Sequence, residues 1–325
     1  MEKTNSSREG STWGTLDRNI LAIVFDKLDT MDITMGASRV CIYWFLVSHN
    51  KTLWHTIDLT KLKHKGQNVL YKYRADNDVE EVLSFSNLST KMSRFFFNFC
   101  GVKGINLKNL LGEITKLSGT APRNVFFNFF SYLQKQDLMF AVGRMPNIEK
   151  LALPFSWSLF NEVETFRFAF NQWKNLKTLI LAQNGFYTWF SFEIRVVGKN
   201  CINLNNLKLV GYLGNNNYAE EIVCYFQSLT RLSLRCSMIN VEGVLMLIRG
   251  LRNLAVLNLT HCVDLGGYPF IKKLRKATNN QKLDKLVITC SENECKVCKD
   301  RPGVFREHVF YEKHWRNDEI KELEF

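Results

Sequence analysis

Residues 204–209 read LNNLKL, and the spacing of their leucines returns along much of the chain. In this stretch Leu204, Leu207 and Leu209 occupy positions i, i+3 and i+5. Five other sets keep that spacing: Ile148, Leu151, Leu153; Leu176, Leu179, Leu181; Leu229, Leu232, Leu234; Leu254, Leu257, Leu259; and Leu283, Leu286, Ile288. Neighbouring sets begin 25 to 29 residues apart. Six sets in register make this the most specific signal in the sequence.

The intervals between the sets carry the period of a helix. Leu138, Ala141, Val142 and Met145 stand at i, i+3, i+4 and i+7, three residues before the next set. Similar stripes end at Trp173, Phe226 and Leu251. A strand followed by a helix every 25 to 29 residues is typical of leucine-rich repeats. The pattern predicts an α/β solenoid over residues 58–300, with parallel strands on the concave face and helices on the convex face.

Weaker copies of the strand pattern precede the six strong ones. They are Trp54, Ile57, Leu59; Met92, Phe95, Phe97; and Pro122, Val125, Phe127. We expect about 7–8 repeats within residues 58–300. In the last interval Lys273, Lys276 and Asn280 replace apolar positions, as expected where an array ends and needs a polar cap.

The segment before the array, residues 13–57, contains three short helical patterns. The first group of residues contains Leu16-Asp17, Ile20-Leu21, Val24-Phe25 and Leu28. The second contains Asp32-Ile33, the third contains Val40-Cys41 and Trp44, and Leu53-Trp54 follow. In order and spacing these residues resemble an F-box. Their continuation into leucine-rich repeats resembles the plant type of F-box/LRR protein. We take Asp32 as a candidate N-cap for the second helix.

The resemblance implies that the N-terminal segment docks on a Skp-type adaptor, which links the chain to a cullin scaffold. The adaptor-binding residues that it implies are Leu16, Ile20, Leu21, Val24, Phe25, Leu28, Val40, Trp44, Leu53 and Trp54. The family usually has Leu-Pro where this chain has Leu16-Asp17. Because aspartate suits the positive end of a helix, we expect a modest change in adaptor affinity.

The resemblance also implies that the repeats hold a protein for ubiquitin transfer, so that the chain itself is not an enzyme and needs no cofactor. Side chains alternate along a strand, so the residues flanking the leucines line the concave face. The candidate substrate-binding residues are Arg94, Phe96, Phe126, Lys150, Lys208, Arg231, Arg235 and Asn258. Lys208, Arg231 and Arg235 predict a positive patch for an acidic or phosphorylated target. The alternative is that these charges only keep a solvated face soluble.

Composition narrows the setting of the protein. The 325 residues carry a formal net charge of +12, which favours acidic partners. We expect no membrane association, because the first twelve residues resemble no signal peptide and no long apolar run follows. Nine cysteines, mostly within apolar patterns, favour the cytoplasm or nucleus.

Two alternative functions remain open: a small-molecule co-receptor of the same family, and a basic repeat protein that binds a polyanion. Nucleic acid is the less favoured partner.

The C-terminal region contains Cys290, Cys295 and Cys298, followed by His308 and His314. A Cys-x2-Cys pair is half of a common zinc site, but Cys290 ends a strand pattern and is better explained by burial, so no metal is predicted. Residues 301–325 predict a terminal helix or a disordered tail, and residues 1–12 a disordered N-terminus.

Overall fold

A computed structural model describes residues 13, 16–60, 62, 107–127, 133–155, 163–183, 191–213, 216–235, 237–260, 262–264 and 285–287. The predictions for residues 1–12, for the strand copy at 92–97, for the degraded last interval and for residues 301–325 lie outside this part of the chain. So do the cysteines and histidines considered for zinc. Within it, no helix is long and apolar enough to cross a membrane.

The described strands form one long parallel sheet and one short one. The long sheet contains β1 (Thr56–Asp58), β2 (Asn124–Phe126), β3 (Lys150–Phe155), β4 (Thr178–Gln183), β5 (Asn206–Val210), β7 (Arg231–Ser233), β9 (Val256–Asn258) and β11 (Lys285–Val287), in that order. Each pair of neighbours is parallel, with the middle leucines in register, as in Leu151 beside Leu179. The predicted leucine-rich-repeat solenoid is therefore confirmed.

Helices alternate with these strands and supply the other wall of the core. They are α3 (Leu107–Ser118), α4 (Lys135–Arg144), α5 (Val163–Gln172), α6 (Ser191–Asn200), α7 (Asn217–Tyr225) and α8 (Val241–Gly250). The predicted stripe of Leu138, Ala141, Val142 and Met145 is fully buried in one cluster with the strand leucines. One repeat could not fold alone: burying three leucines contributes roughly 5–9 kcal/mol, whereas ordering about 25 residues costs at least ~25 kcal/mol.

A second sheet forms where three strands of the long sheet lead into the next helix. It consists of β6 (Tyr212–Leu213), β8 (Met238–Ile239) and β10 (Val263–Asp264), paired in parallel. The backbone turns between β5 and β6 at Gly211, whose φ of 148° suits glycine best. The buried Ser237 hydroxyl accepts from the Gly211 amide and donates to the Leu209 carbonyl, so this corner joins two repeats.

The N-terminal segment folds as short helices around a small core of its own. It contains α1 (Arg18–Phe25), a π-helical turn (Asp32–Gly36), a 3-10 turn (Ala37–Arg39), α2 (Ile42–Ser48) and a second 3-10 turn (Lys51–Trp54). Leu21, Phe25, Ala37 and Val47 form the buried cluster. The Phe25 and Trp44 rings meet edge to face, with centroids 5.3 Å apart.

The N-terminal segment is joined to the array through its last turn. Trp54 and Ile33 are buried in the core of the array, and Leu53 packs against both cores. The Thr30 hydroxyl accepts from the Asp58 amide at 3.2 Å, which links the segment to β1. The boundary predicted at residue 57 therefore falls inside the first strand of the sheet.

Two details differ from the sequence-based expectations. The carboxylate of Asp29, rather than that of Asp32, caps the second helical turn by accepting from the Asp32 amide at 2.8 Å. In addition, β1 pairs directly with β2, with Thr56 beside Asn124. The copy predicted at residues 92–97 lies outside the described residues.

Candidate functional site: an apolar N-terminal face and the concave face of the sheet

Two stripes of apolar side chains are exposed on the N-terminal helices. Helix α1 exposes Ile20, Ile23 and Val24, and helix α2 exposes Ile42, Phe45 and Leu46, in each case at i, i+3 and i+4. Leu28, Met35 and Val40 add exposed apolar surface on the connecting turns. We call these nine residues the N-terminal apolar face. Ile42, Ile23 and Val40 are its most open members, at 73%, 64% and 62% exposure.

This apolar face is supported from behind by side chains with polar anchors. The Tyr43 hydroxyl donates to the Leu16 carbonyl at 2.8 Å, and the Trp44 indole donates to the Trp13 carbonyl at 3.4 Å. The Arg18 guanidinium reaches the Leu46 carbonyl at 3.5 Å, which brings the start of α1 beside the second half of α2. The two stripes are thus presented by helices that are already fixed to each other.

Helix α1 begins at the position where this chain departs from the Leu-Pro pattern. Asp17 is the N-cap residue, and its carboxylate accepts a hydrogen bond from the Asn19 amide at 2.7 Å. An N-cap carboxylate satisfies an amide that the helix leaves free and also suits the helix dipole. The aspartate therefore replaces the missing proline as the element that starts the helix.

The structure separates the predicted adaptor-binding residues into two groups. Ile20, Val24, Leu28 and Val40 are exposed and belong to the apolar face. Leu21, Phe25 and Trp54 are at most 1% exposed, and Leu16, Trp44 and Leu53 are half-buried. For the three buried residues, the prediction of a direct contact is corrected: their side chains form the two cores, and they act on the surface only by positioning it.

Sequence reasoning missed several members of the apolar face: Ile23, Met35, Ile42, Phe45 and Leu46. The available signal was that α2 is apolar on every side, since residues 42–47 read IYWFLV. A seven-residue helix that is apolar all round needs more than one surface to cover it. The core of the N-terminal segment covers the side that carries Val47, with Tyr43 and Trp44 packed against it.

The apolar face is large enough to drive association. Burying one isoleucine or leucine side chain contributes roughly 1.5–3 kcal/mol, and a dissociation constant of 1 μM corresponds to about −8 kcal/mol. Burying about half of the nine side chains would therefore contribute a free energy of the size that a micromolar complex requires. Exposed apolar clusters of this kind mark interaction sites in soluble proteins.

The second surface is the face of the long sheet opposite the helices, which we call the concave face. Its first row contains Asn124, Lys150, Thr178, Asn206, Arg231 and Val256, in register on neighbouring strands. Its second row contains Phe126, Ala152, Ile180, Lys208, Ser233 and Asn258. Within the first row, the Asn206 amide donates to the Thr178 hydroxyl at 3.1 Å.

The predicted positive patch comes together on β5 and β7. On neighbouring strands, Arg231 is beside Asn206 and Lys208 is beside Ser233. Arg235 follows Ser233 by two residues in the chain. Arg231 is half-buried, whereas Lys208 is fully buried and Arg235 is 7% exposed. The three cations therefore lie around Ser233, and Arg231 is the most exposed of them.

The remaining concave-face predictions are divided in the same way. Lys150 is half-buried, whereas Phe126 and Asn258 are buried, at 9% and 3% exposure. Arg94 and Phe96 lie outside the described residues. Sequence reasoning missed the apolar character of this face on β3, β4 and β5, where Ala152, Ala182 and Val210 are buried outside the main core. Which of these residues touch a target stays a prediction.

No group of three or more potential metal ligands occurs among the described residues. Two buried carboxyl groups lie instead near the starts of helices. Burial raises the pKa of Glu193 to about 7 and raises that of Asp137 as well. Asp137 belongs to a capping box with Gln134 at the start of α4, which explains one carboxylate in that place.

Comparison with known proteins agrees with this architecture. The chain is 47% identical to an F-box protein of Arabidopsis thaliana over 99% of its own length and 98% of the relative's. It is 24% identical to an F-box/LRR-repeat protein of the same plant, over 99% of both chains. No family model matches the chain. Among solved structures, the leucine-rich repeat-containing protein LegL7 from Legionella pneumophila aligns with 65% of this chain and 77% of that one, at 16% identity and a TM-score of 0.41.

A helical segment of about 40 residues with an unpartnered apolar face, followed by a leucine-rich-repeat solenoid, is the arrangement of an F-box joined to its repeats. The chain belongs to the plant F-box/LRR-repeat proteins.

Proposed function

We propose that this protein is the substrate receptor of a Skp–cullin–F-box ubiquitin ligase. In this role the F-box docks on a Skp-type adaptor, and the repeats hold a target protein on the concave face. The observation that carries the proposal is the N-terminal apolar face, in which Ile23 and Ile42 are more than half exposed on helices that are fixed to each other. A partner that buries both stripes would complete the F-box.

The chain itself performs no covalent step in this proposal. A receptor accelerates transfer by holding a target lysine close to the activated ubiquitin, which raises its effective concentration. The concave face supports the holding role, since the half-buried cations Arg231 and Lys150 lie on it near the buried apolar residues Ala152 and Ile180. An acidic or phosphorylated target fits these groups. We place the protein in the cytoplasm or nucleus, where such ligases work.

Adaptor binding tests the proposal directly. Ile23→Asp and Ile42→Asp each place a charge in the apolar face without touching the buried cluster. We expect each variant to bind a purified Skp-type adaptor at least about tenfold more weakly by calorimetry, because each loses about 1.5–3 kcal/mol of apolar burial and buries a charge.

Ile202→Asp is the matched control. Ile202 is 74% exposed, but it precedes β5 in the array and lies far along the chain from the F-box. This variant should bind the adaptor as the wild type does. If all three variants bind equally well, or if the wild type does not bind any Skp-type adaptor, the proposed function is wrong.

A further inference from the structure

Three cationic side chains and one carboxylate lie together at the edge of the concave face where β2, β3 and β4 begin. The Lys177 ammonium lies 2.7 Å from one carboxylate oxygen of Glu149, and the Arg123 guanidinium lies 3.9 Å from the other. Lys150 follows Glu149 in the chain and belongs to the first row of the concave face. We call these four residues the rim cluster. Three positive charges against one negative charge give it a net charge of +2.

The rim cluster is open to solvent, unlike the enclosed cations Lys208 and Arg235. The side chains of Lys177, Arg123 and Glu149 are 56%, 41% and 33% exposed. The hydrogen bond from Lys177, together with the charge of Arg123, holds the pKa of Glu149 below its ordinary value, so this carboxylate is ionised at neutral pH. An anionic ligand can therefore approach the rim cluster directly from solvent.

A further cation lies in the same row of the concave face, at a defined distance from the rim cluster. Arg231 is half-buried at the start of β7, and β4 and β5 lie between its strand and that of Lys150. Three strand spacings, or about 14 Å, therefore separate the two residues. Between them, the Asn206 amide donates to the Thr178 hydroxyl at 3.1 Å. An extended peptide covers about 14 Å in about four residues.

These charges and this spacing define the chemistry of a fitting ligand. A phosphorylated side chain carries a charge of about −1.5 to −2 at neutral pH, which matches the net charge of the rim cluster. A target carboxylate brings no more charge than Glu149 already supplies, whereas a phosphate does. Guanidinium and ammonium groups form strong charge-assisted hydrogen bonds with phosphate oxygens, and Arg231 offers a second such group four residues away along the ligand.

We propose that the rim cluster and Arg231 bind two phosphorylated residues of the target protein, four residues apart in an extended segment that crosses β3, β4, β5 and β7. This inference rests on the proposed function, because it names the chemistry of the target on the same concave face. Glu149 competes with the incoming phosphate for Lys177 and Arg123. It thereby makes binding depend on phosphorylation, since only a phosphate brings more charge than the carboxylate that it displaces.

A fluorescein-labelled peptide of sequence GSAAASG, phosphorylated on both serines, tests the proposal on the full chain. By fluorescence anisotropy, the wild type should bind this peptide at least about tenfold more tightly than the same peptide without phosphate. Lys177→Gln and Arg231→Gln should each weaken the binding of the phosphorylated peptide about fivefold, because each removes a charge-assisted hydrogen bond.

Glu149→Gln is the decisive variant, because it should improve binding. Without the competing carboxylate, the affinity for the phosphorylated peptide should rise about threefold, and damage to the fold would not produce such a gain. The matched controls are Arg167→Gln and Glu164→Gln, which remove the same charges from an exposed ion pair on α5, with 2.9 Å between the two groups. Both controls should bind the peptide as the wild type does.

Three results would overturn the inference: binding by the wild type that does not depend on phosphate, equal affinities of Glu149→Gln and the wild type, or changes in the α5 controls as large as those in Lys177→Gln and Glu149→Gln. Adaptor affinity is measured on every protein in parallel. If adaptor binding persists while the peptide results fail, only this inference falls. If the wild type binds no adaptor, the proposed function falls, whatever the peptide does.

Discussion

The indole nitrogen of Trp54 donates a hydrogen bond to the carbonyl oxygen of Ser48 at 2.6 Å, and both residues are buried. Ser48 ends α2, and Trp54 enters the core of the array immediately before β1. This single bond therefore joins the helix that presents half of the apolar face to the first strand of the solenoid. The F-box is held by the array rather than attached by a loose linker.

Replacing Trp54 by phenylalanine should weaken this junction. The variant keeps an aromatic ring but leaves the Ser48 carbonyl without the indole donor, and a buried group that loses its partner costs about 1–3 kcal/mol. We expect a fall of about 2 kcal/mol in the free energy of unfolding, measured by urea denaturation. Trp13→Phe is the control, because Trp13 is 56% exposed. Equal losses in the two variants would contradict the role given to the Trp54–Ser48 bond.

The capping role of Asp17 predicts different results for two substitutions. Asp17→Asn keeps an oxygen that can accept from the Asn19 amide, whereas Asp17→Ala leaves that amide without an acceptor. Loss of an N-cap costs about 1 kcal/mol. We expect amide exchange in α1 to be about fivefold faster in Asp17→Ala and near the wild-type rate in Asp17→Asn. If alanine has no effect, the aspartate does not start the helix.

Glu193 should make stability depend on pH. Glu193 is 3% exposed, and burial raises the pKa of its carboxyl group from 4.5 to about 7. The folded state therefore holds this proton more strongly than the unfolded chain does. Stability should fall as the pH rises from about 4.5 to about 7, and it should stay lower above that range.

Glu193→Gln removes this dependence, because the amide does not ionise. Between pH 5 and pH 8, the variant should lose less of its free energy of unfolding than the wild type, by on the order of 2–3 kcal/mol in urea denaturation. Glu164→Gln, on the exposed surface of α5, should behave as the wild type. Asp137 contributes in the same direction in all three proteins, so only the difference between proteins is diagnostic. Parallel pH curves for the wild type and Glu193→Gln would refute the assignment.

Close packing of α6 against α7 predicts that Gly198→Ala is destabilising. A Cβ at Gly198 would lie 2.5 Å from the Tyr225 Cβ and 2.8 Å from the Phe226 ring. Overpacking of this kind costs about 1–3 kcal/mol, which should lower the Tm by several degrees in a thermal melt.

Gly143→Ala is the matched control for this effect. Gly143 is also within a helix, α4, but a Cβ there would meet nothing within 4 Å. Alanine favours the helix over glycine by up to about 1 kcal/mol, so this variant should melt at the same temperature or higher. Equal effects of the two substitutions would show that the α6–α7 contact is not tight at Gly198.

Much of the architecture could be predicted from local pattern. The i, i+3, i+5 leucines and the intervening helical stripes report which side of each element is buried, and residues such as Leu179 and Ala169 are fully buried where the pattern places them. The F-box order was also recognisable, since its apolar positions keep their spacing from Leu16 to Trp54. Periodicity depends only on the order of neighbouring residues, so it can be read directly from the sequence.

The site was less predictable, because exposure depends on what packs beside a residue. Leu21 and Ile20 are neighbours in the sequence and both apolar, yet one is buried beneath α2 and the other is exposed. Lys208 looked like an open concave-face cation, but it has no exposed surface. The direct pairing of β1 with β2 was equally hidden, since more than 60 residues separate the two strands in the sequence.

The sequence by itself determined that the chain is a repeat solenoid preceded by a short helical module, because the spacing of apolar residues in each helix or strand shows which side of it is buried. Only the tertiary structure decided which apolar residues of that module remain uncovered and which cations of the concave face are enclosed. Those outcomes depend on long-range packing, such as the Trp54–Ser48 bond between module and array, which no local period encodes.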